Sequence, residues 1–296
     1  MRNLAVVAMA ALVTGCTVSA NDHAVFDAGQ LAEAVRTVER ERLIKIGLAC
    51  LDRFQDTWNT RDTRQFVKAF NFPHVRPSPT DFGVRWTPED YVAASKDSYN
   101  VALSQGWHRS QWDRREVLHV SPDKMHFAGQ YVRLREDGSR IRTGRMTYIV
   151  TRQGERWAIQ SRFSTQQAPE GSKREGEDLA KQAVEAYFEA FNSLDLERWA
   201  DSMHYPQVRL SASGLGFWKT RQDFLDGPEM GRQRTHHQTR LDIVEPYQVG
   251  AKGVNVKVRY TRLNSEKEDL STYDAIYLVT NRDGNWAVQA RSTYAP

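Results

Sequence analysis

Two imidazoles, His74 and His108, with Asp113 and Tyr148, are the candidate residues for proton-transfer chemistry in this sequence. Imidazole titrates near neutral pH and serves as general acid or base without further tuning. His108, Ser110 and Trp112 alternate, so on a strand they share one face, whereas Asp113 points the other way unless a bulge intervenes. No nucleophile or acid partner is fixed by spacing, and the preferred reading of each imidazole is structural, a ring bonded to a backbone carbonyl in a partly buried sheet. The adjacent His236 and His237 face opposite sides of a strand and lack a third ligand at a usable spacing, so no metal is expected, and no cofactor either. Cys50 lies in an apolar helical pattern and reads as a buried thiol, not a nucleophile.

The elements that must position these residues occur twice. Trp157-Ala158-Ile159-Gln160-Ser161-Arg162 returns as Trp286-Ala287-Val288-Gln289-Ala290-Arg291, Tyr148-Ile149-Val150-Thr151 as Tyr277-Leu278-Val279-Thr280, and Tyr131-Val132-Arg133-Leu134 as Tyr260-Thr261-Arg262-Leu263. Upstream, Trp58-Asn59, Asp62, Phe66 and Phe72-Pro73-His74-Val75-Arg76 meet Phe191-Asn192, Asp195, Trp199 and Tyr205-Pro206-Gln207-Val208-Arg209. In each copy apolar residues first recur at helical spacing, as in Ile44, Leu48, Leu51, Phe54 and Trp58, and then alternate, as in Val254, Val256, Val258 and Tyr260. Thr87-Pro88-Glu89-Asp90 and Thr220-Arg221-Gln222-Asp223 are helix starts with a capping threonine. Asp137-Gly138 and Asp283-Gly284 are hairpin turns. Helices followed by a strand meander make an α+β domain with helices packed on one sheet face.

Residues 1–15 combine a charged start with a short apolar run, as in an export signal, too short to anchor the chain across a bilayer. The end of that run, Leu12-Val13-Thr14-Gly15-Cys16, resembles a bacterial lipobox, which implies acylation of Cys16 and a membrane partner through the lipid. Thr17, a residue other than aspartate after the cysteine, implies the outer membrane of a Gram-negative envelope, on a side left open. The expected divisions are a tether over 16–30, domain 1 over 31–165, a polar linker over 166–177 and domain 2 over 178–296. Formal net charge is +4 with acids and bases interspersed, which argues against a dedicated nucleic-acid surface. With Cys16 acylated, Cys50 is the one remaining cysteine and no internal disulfide can form, so stability must come from core burial.

The helix-then-sheet order, the aromatic-Asn-x-x-Asp junction, the aromatic-Pro strand start and the Trp-containing last strand resemble the NTF2-like, or SnoaL-like, superfamily. Phe70-Asn71-Phe72-Pro73-His74-Val75-Arg76, Trp86-Thr87-Pro88-Glu89-Asp90-Tyr91 and Gly106-Trp107-His108 bring copy 1 especially close to it. The resemblance implies two domains, each of three helices on a curved antiparallel sheet that closes into a cone, paired through their sheets as an intramolecular pseudo-dimer. It places a ligand site at the mouth of the cone, with Trp86, Trp107, His108, Ser110 and Trp112 as candidate contacts to a small apolar molecule. Between copies, His74, Trp107, Trp112 and His126 become Gln207, His236, Leu241 and Asn255, so copy 1 is the expected pocket and copy 2 its structural partner. The leading expectation is a non-catalytic module binding a small molecule or an envelope protein. The alternative is a cofactor-independent isomerase, cyclase or hydrolase using His74 or His108. Gln160 with Arg162, and Gln289 with Arg291, are expected on one strand face, either the seam or an open surface.

Overall fold

The computed structural model describes residues 28–95, 97–165, 173–211, 214–227 and 237–294. The signal segment 1–15, Cys16, most of the tether, linker residues 166–172 and His236 lie outside the described residues. The chain separates into two compact units, Met1–Glu39 and Arg40–Pro296. Of the first, the described part is exposed helix carrying a Glu33–Arg36 ion pair of 2.9 Å. The second contains both sequence copies.

Domain 1 runs α1 (Ala28–Asn59), α2 (Thr63–Phe66) with a 3-10 turn over Val67–Ala69, β1 (Phe70–Pro77), β2 (Phe82–Arg85), α3 (Pro88–Ala94), α4 (Ser98–Ser104), β3 (Arg109–Val120), β4 (Lys124–Leu134), β5 (Arg140–Gln153) and β6 (Arg156–Ser164). Domain 2 repeats this with α5 (Lys173–Asn192), α6 (Leu196–Asp201), β7 (Met203–Ser211), β8 (Gly214–Trp218), α7 (Arg221–Leu225), β9 (Gln238–Val249), β10 (Gly253–Leu263), β11 (Asp269–Arg282) and β12 (Asn285–Thr293). The first five linker residues described, 173–177, are already helix, and in domain 1 the expected third helix is split between α3 and α4.

Each copy forms a six-stranded sheet, ordered β2-β1-β6-β5-β4-β3 and β8-β7-β12-β11-β10-β9. The sheets are mixed, because β1 pairs β6 and β7 pairs β12 in parallel, where an antiparallel sheet was expected. The connection between those strands runs through helices and the rest of the meander, so no hairpin constrains their relative direction.

Local chemistry explains the recurrence. Thr87 and Asp90 form a reciprocal capping box at α3, and Thr220 and Asp223 do so at α7. Asp62 and Asp195 cap α2 and α6 by accepting from the backbone N–H groups of Arg64 and Arg198. Asn59 and Asn192 end the long helices and clamp the meander: each side chain donates to the carbonyl of Ser110 or Thr239 and accepts from that residue's N–H, at 2.7–2.9 Å. Asp283 and Gly284, at φ 51° and 88°, both take the left-handed conformation that the β11–β12 hairpin turn requires.

The concave face of each sheet packs on its own helices, with Leu51, Phe54, Phe70, Phe127 and Tyr148 in domain 1 and Val184, Tyr187, Val256 and Tyr277 in domain 2. The opposite faces pack on each other. Val75, Ile149 and Phe163 share one buried cluster with Val208, Leu210, Ile276, Leu278 and Ala290, which makes the two domains a pseudo-dimer within one chain. Several polar groups inside this seam are paired across it. Lys124 donates to the carbonyls of Leu210 and Thr293 at 3.0 and 3.1 Å, and the His126 ring bonds Ser292 Oγ at 2.8 Å. Asn255 donates to Thr147 Oγ1 at 3.0 Å and to the Phe163 carbonyl at 3.3 Å.

Candidate functional site

The concave side of domain 1 is not filled. A cavity of about 410 Å³ opens between α1, α4 and the sheet, within the roughly 300–1,000 Å³ typical of small-molecule sites. Helical residues Phe54, Trp58, Phe66, Tyr91 and Tyr99 form one wall, and Ser110, Tyr131, Met146 and Tyr148 on β3, β4 and β5 form another. Four arginines complete the lining: Arg76 on β1, Arg133 on β4, Arg142 on β5 and Arg162 on β6. Among the described residues no carboxylate and no imidazole lines this space.

Arg162 reaches the cavity through a β-bulge. The register between β5 and β6 slips where Ile149 meets Ser161 and Val150 meets Ile159, so Gln160 is the extra residue. Side chains after it change face. Arg162 therefore points inward with Ile159, and Phe163 goes to the seam. An identical slip at Gln289 turns Arg291 inward in domain 2. This corrects the expectation that Gln160 shares a face with Arg162 at a seam or on an open surface: the bulge breaks the alternation.

Arg162 is 5% exposed. Its Nη2 donates to Tyr91 Oη at 3.2 Å and its Nε to His74 Nε2 at 3.4 Å, and its guanidinium carbon lies 5.0 Å from the Phe54 ring and 5.1 Å from the Phe70 ring. Burial disfavours its charge. His74 is buried against Phe70, with Nδ1 3.3 Å from the Ile159 carbonyl. That geometry requires the proton on Nδ1 and the lone pair on Nε2, the atom facing Arg162. Burial and the neighbouring guanidinium hold the His74 pKa well below the usual imidazole range. His74 thus positions Arg162, and its lone pair is occupied.

The other sequence candidates separate cleanly. Ser110 and Tyr148 line the cavity. Trp107 lies behind it, buried on Tyr99 and donating from Nε1 to Ser110 Oγ at 2.9 Å. Trp112 packs against Phe54 and Tyr148 without reaching the lining. Trp86 is 56% exposed and meets Phe217 of domain 2 edge-on. His108 is exposed outside the cavity, and Asp113 bonds Gln130 and Arg140 on the outside of the sheet. β3 lies at the sheet edge, and Ser110 is its one residue in the cavity lining. Neither imidazole of the acid/base alternative is in the cavity wall.

Residues 48–167 match a family model described as NTF2-like protein (DUF6841). The first domain is an NTF2-like domain. Domain 2 repeats its topology strand for strand, so the chain is a tandem of two NTF2-like folds. Solved structures similar to it include a protein of unknown function with a cystatin-like fold from Nostoc punctiforme, at 12% identity and TM-score 0.36 over 44% of this chain and 95% of that one. An NTF2-like protein of unknown function from Shewanella oneidensis matches at 21% identity and TM-score 0.34, over 41% and 97%. A ketosteroid isomerase-like protein from Erwinia carotovora matches at 18% identity and TM-score 0.32, over 42% and 99%. A search of curated proteins returns no match.

The second NTF2-like domain is more heavily furnished with aromatic rings at two equivalent positions among the described residues. Tyr273 stands where domain 1 has Gly144, and it stacks on Tyr260 at 5.1 Å. In domain 1 a side chain at Gly144 would meet the Tyr131 ring within 2.5 Å, so glycine is what leaves room for that ring beside the cavity. Arg291 is packed over Tyr187 and Trp199 at 5.5 and 6.0 Å, where domain 1 has the smaller Phe54 and Phe66.

The four arginines are the site residues missed from the sequence. Arg76, Arg133 and Arg162 each sit in a segment repeated in copy 2, where Arg209, Arg262 and Arg291 correspond, and repetition marks framework. The available signal was Arg142, which faces Arg133 across β4 and β5 and has Ser271 as its counterpart.

Proposed function

We propose that this chain is a lipid-anchored protein of the Gram-negative outer membrane whose first NTF2-like domain holds a small molecule without transforming it. The observation that carries the binding role is the open, aromatic-walled cavity of about 410 Å³ in domain 1. The absence of carboxylate and imidazole from the described lining favours binding over acid/base turnover. Anchoring rests on Cys16, where two or more acyl chains would supply stable attachment. An envelope protein seated on the same body is the other partner this reading admits.

Two measurements test it. Expressed full length, the protein should fractionate with outer membranes and incorporate a labelled fatty acid, and Cys16→Ser should abolish both. Native mass spectrometry of the purified chain should detect a species of small-molecule mass that denaturation releases. A protein that binds nothing from envelope extracts, with its first cone empty or solvent-filled, would refute the binding role.

A further inference from the structure

Resting on the reading of the first cone as a ligand site, we propose that its ligand is a small organic anion, with one acid group held by Arg162 and Arg133 and an apolar body lying against the aromatic wall.

Some arginines elsewhere in domain 1 pair with carboxylates, as Arg115 does with Asp52, Arg140 with Asp113 and Arg152 with Asp123, and others bond amides or carbonyls, as Arg109 does with Gln111 and Arg156 with the Lys68 carbonyl. Arg76, Arg133, Arg142 and Arg162 form no ion pair with any described residue, although they share one cavity. A guanidinium carries five N–H donors in a planar fork suited to carboxylate or phosphate oxygens. Arg162, nearly completely buried, uses one donor on the Tyr91 hydroxyl and one on His74, leaving the rest of its fork toward the cavity. Arg133 lies over the Trp58 ring at 5.6 Å, and its Nε is buried with no partner. A buried charge without a counter-charge is costly, and four in one cavity repel one another. An anion entering there relieves both penalties at once, and Arg76 and Arg142, exposed at the mouth, would steer it in.

The remaining lining is mixed, with polar groups such as Gln55 and Ser98 beside a wall of rings. Phe54, Trp58, Phe66, Tyr99 and Met146 offer rings and a thioether that favour an apolar or aromatic body. The neutral, Nδ1-protonated His74 contributes by holding the Arg162 fork in place.

Calorimetric titration of the full-length chain in non-ionic detergent tests this with matched probes: benzoate, 4-phenylbutyrate and octanoate, their primary amides, phenyl phosphate and inorganic phosphate. At least one acid should bind about tenfold or more tighter than its amide, a difference of about 1.4 kcal/mol. Arg162→Met should remove that preference, and Arg142→Gln, at the exposed mouth, should weaken acids while leaving amides unchanged. If Arg162→Met does not fold, Arg142→Gln decides. Amides binding as tightly as acids would overturn the anion assignment and leave the binding role standing. Binding of inorganic phosphate alone would reduce the site to a simple anion sink and also overturn it. No binding by any probe would overturn both.

Discussion

Leu278→Ala places a cavity in the outer face of domain 2 and should unfold domain 1 with it. Leu278 is fully buried on β11, in the cluster that joins Val75, Ile149 and Phe163 of domain 1 to domain 2. Truncating a buried leucine costs about 2–5 kcal/mol. If the seam makes the domains one cooperative unit, that loss is shared, and every group protected by global unfolding is exposed more often by the same factor. Cys50 supplies the probe: it is buried in domain 1, its Sγ lies 3.3 Å from the Trp157 carbonyl, and burial raises its thiol pKa. In a Cys16→Ser background it is the one thiol in the chain. Pulsed thiol labelling across a urea series should then show Cys50 reacting roughly 30-fold to a few thousand-fold faster in Leu278→Ala, the factor that about 2–5 kcal/mol implies. Unchanged Cys50 labelling alongside a lower midpoint for domain 2 would show two independent domains and refute the coupled seam.

Gly129→Ala should lower stability and binding together. A Cβ there would lie 2.6 Å from Tyr148 Cε2 and 2.9 Å from Trp112 Cζ3. Overpacking of this kind costs about 1–3 kcal/mol, read as a fall in melting temperature of about 2–4 °C per kcal/mol; a variant as stable as the parent would show that Tyr148 moves freely. Acid should destabilise the fold below about pH 6.5. Burial lowers the pKa of His74, His119 and His126, and of His204 to about 4. Their neutral forms are favoured in the fold, so their contribution is intact above the unfolded value and is lost as pH falls from about 6.5 through the folded values. His126→Gln should flatten the urea-midpoint profile over that window, and an unchanged slope would count against seam histidines as its source.

Much of the architecture is legible in local signals along the chain. Duplicated segments, capping threonines at 87 and 220, and the switch from helical to alternating spacing are local signals, and each became the element it predicts because capping and periodicity act over a few residues. Ser110 and Tyr148 were also within reach, as an alternating position beside a helix clamp and a repeated strand tyrosine. What decided the cavity was tertiary. A one-residue bulge at Gln160 turned Arg162 inward, Gly144 left room for the Tyr131 ring beside the cavity, and strand pairing brought Arg133 beside Arg142. Charge that reads as solvated in one dimension was gathered into one cavity, because face and neighbour are fixed by register across strands many residues apart.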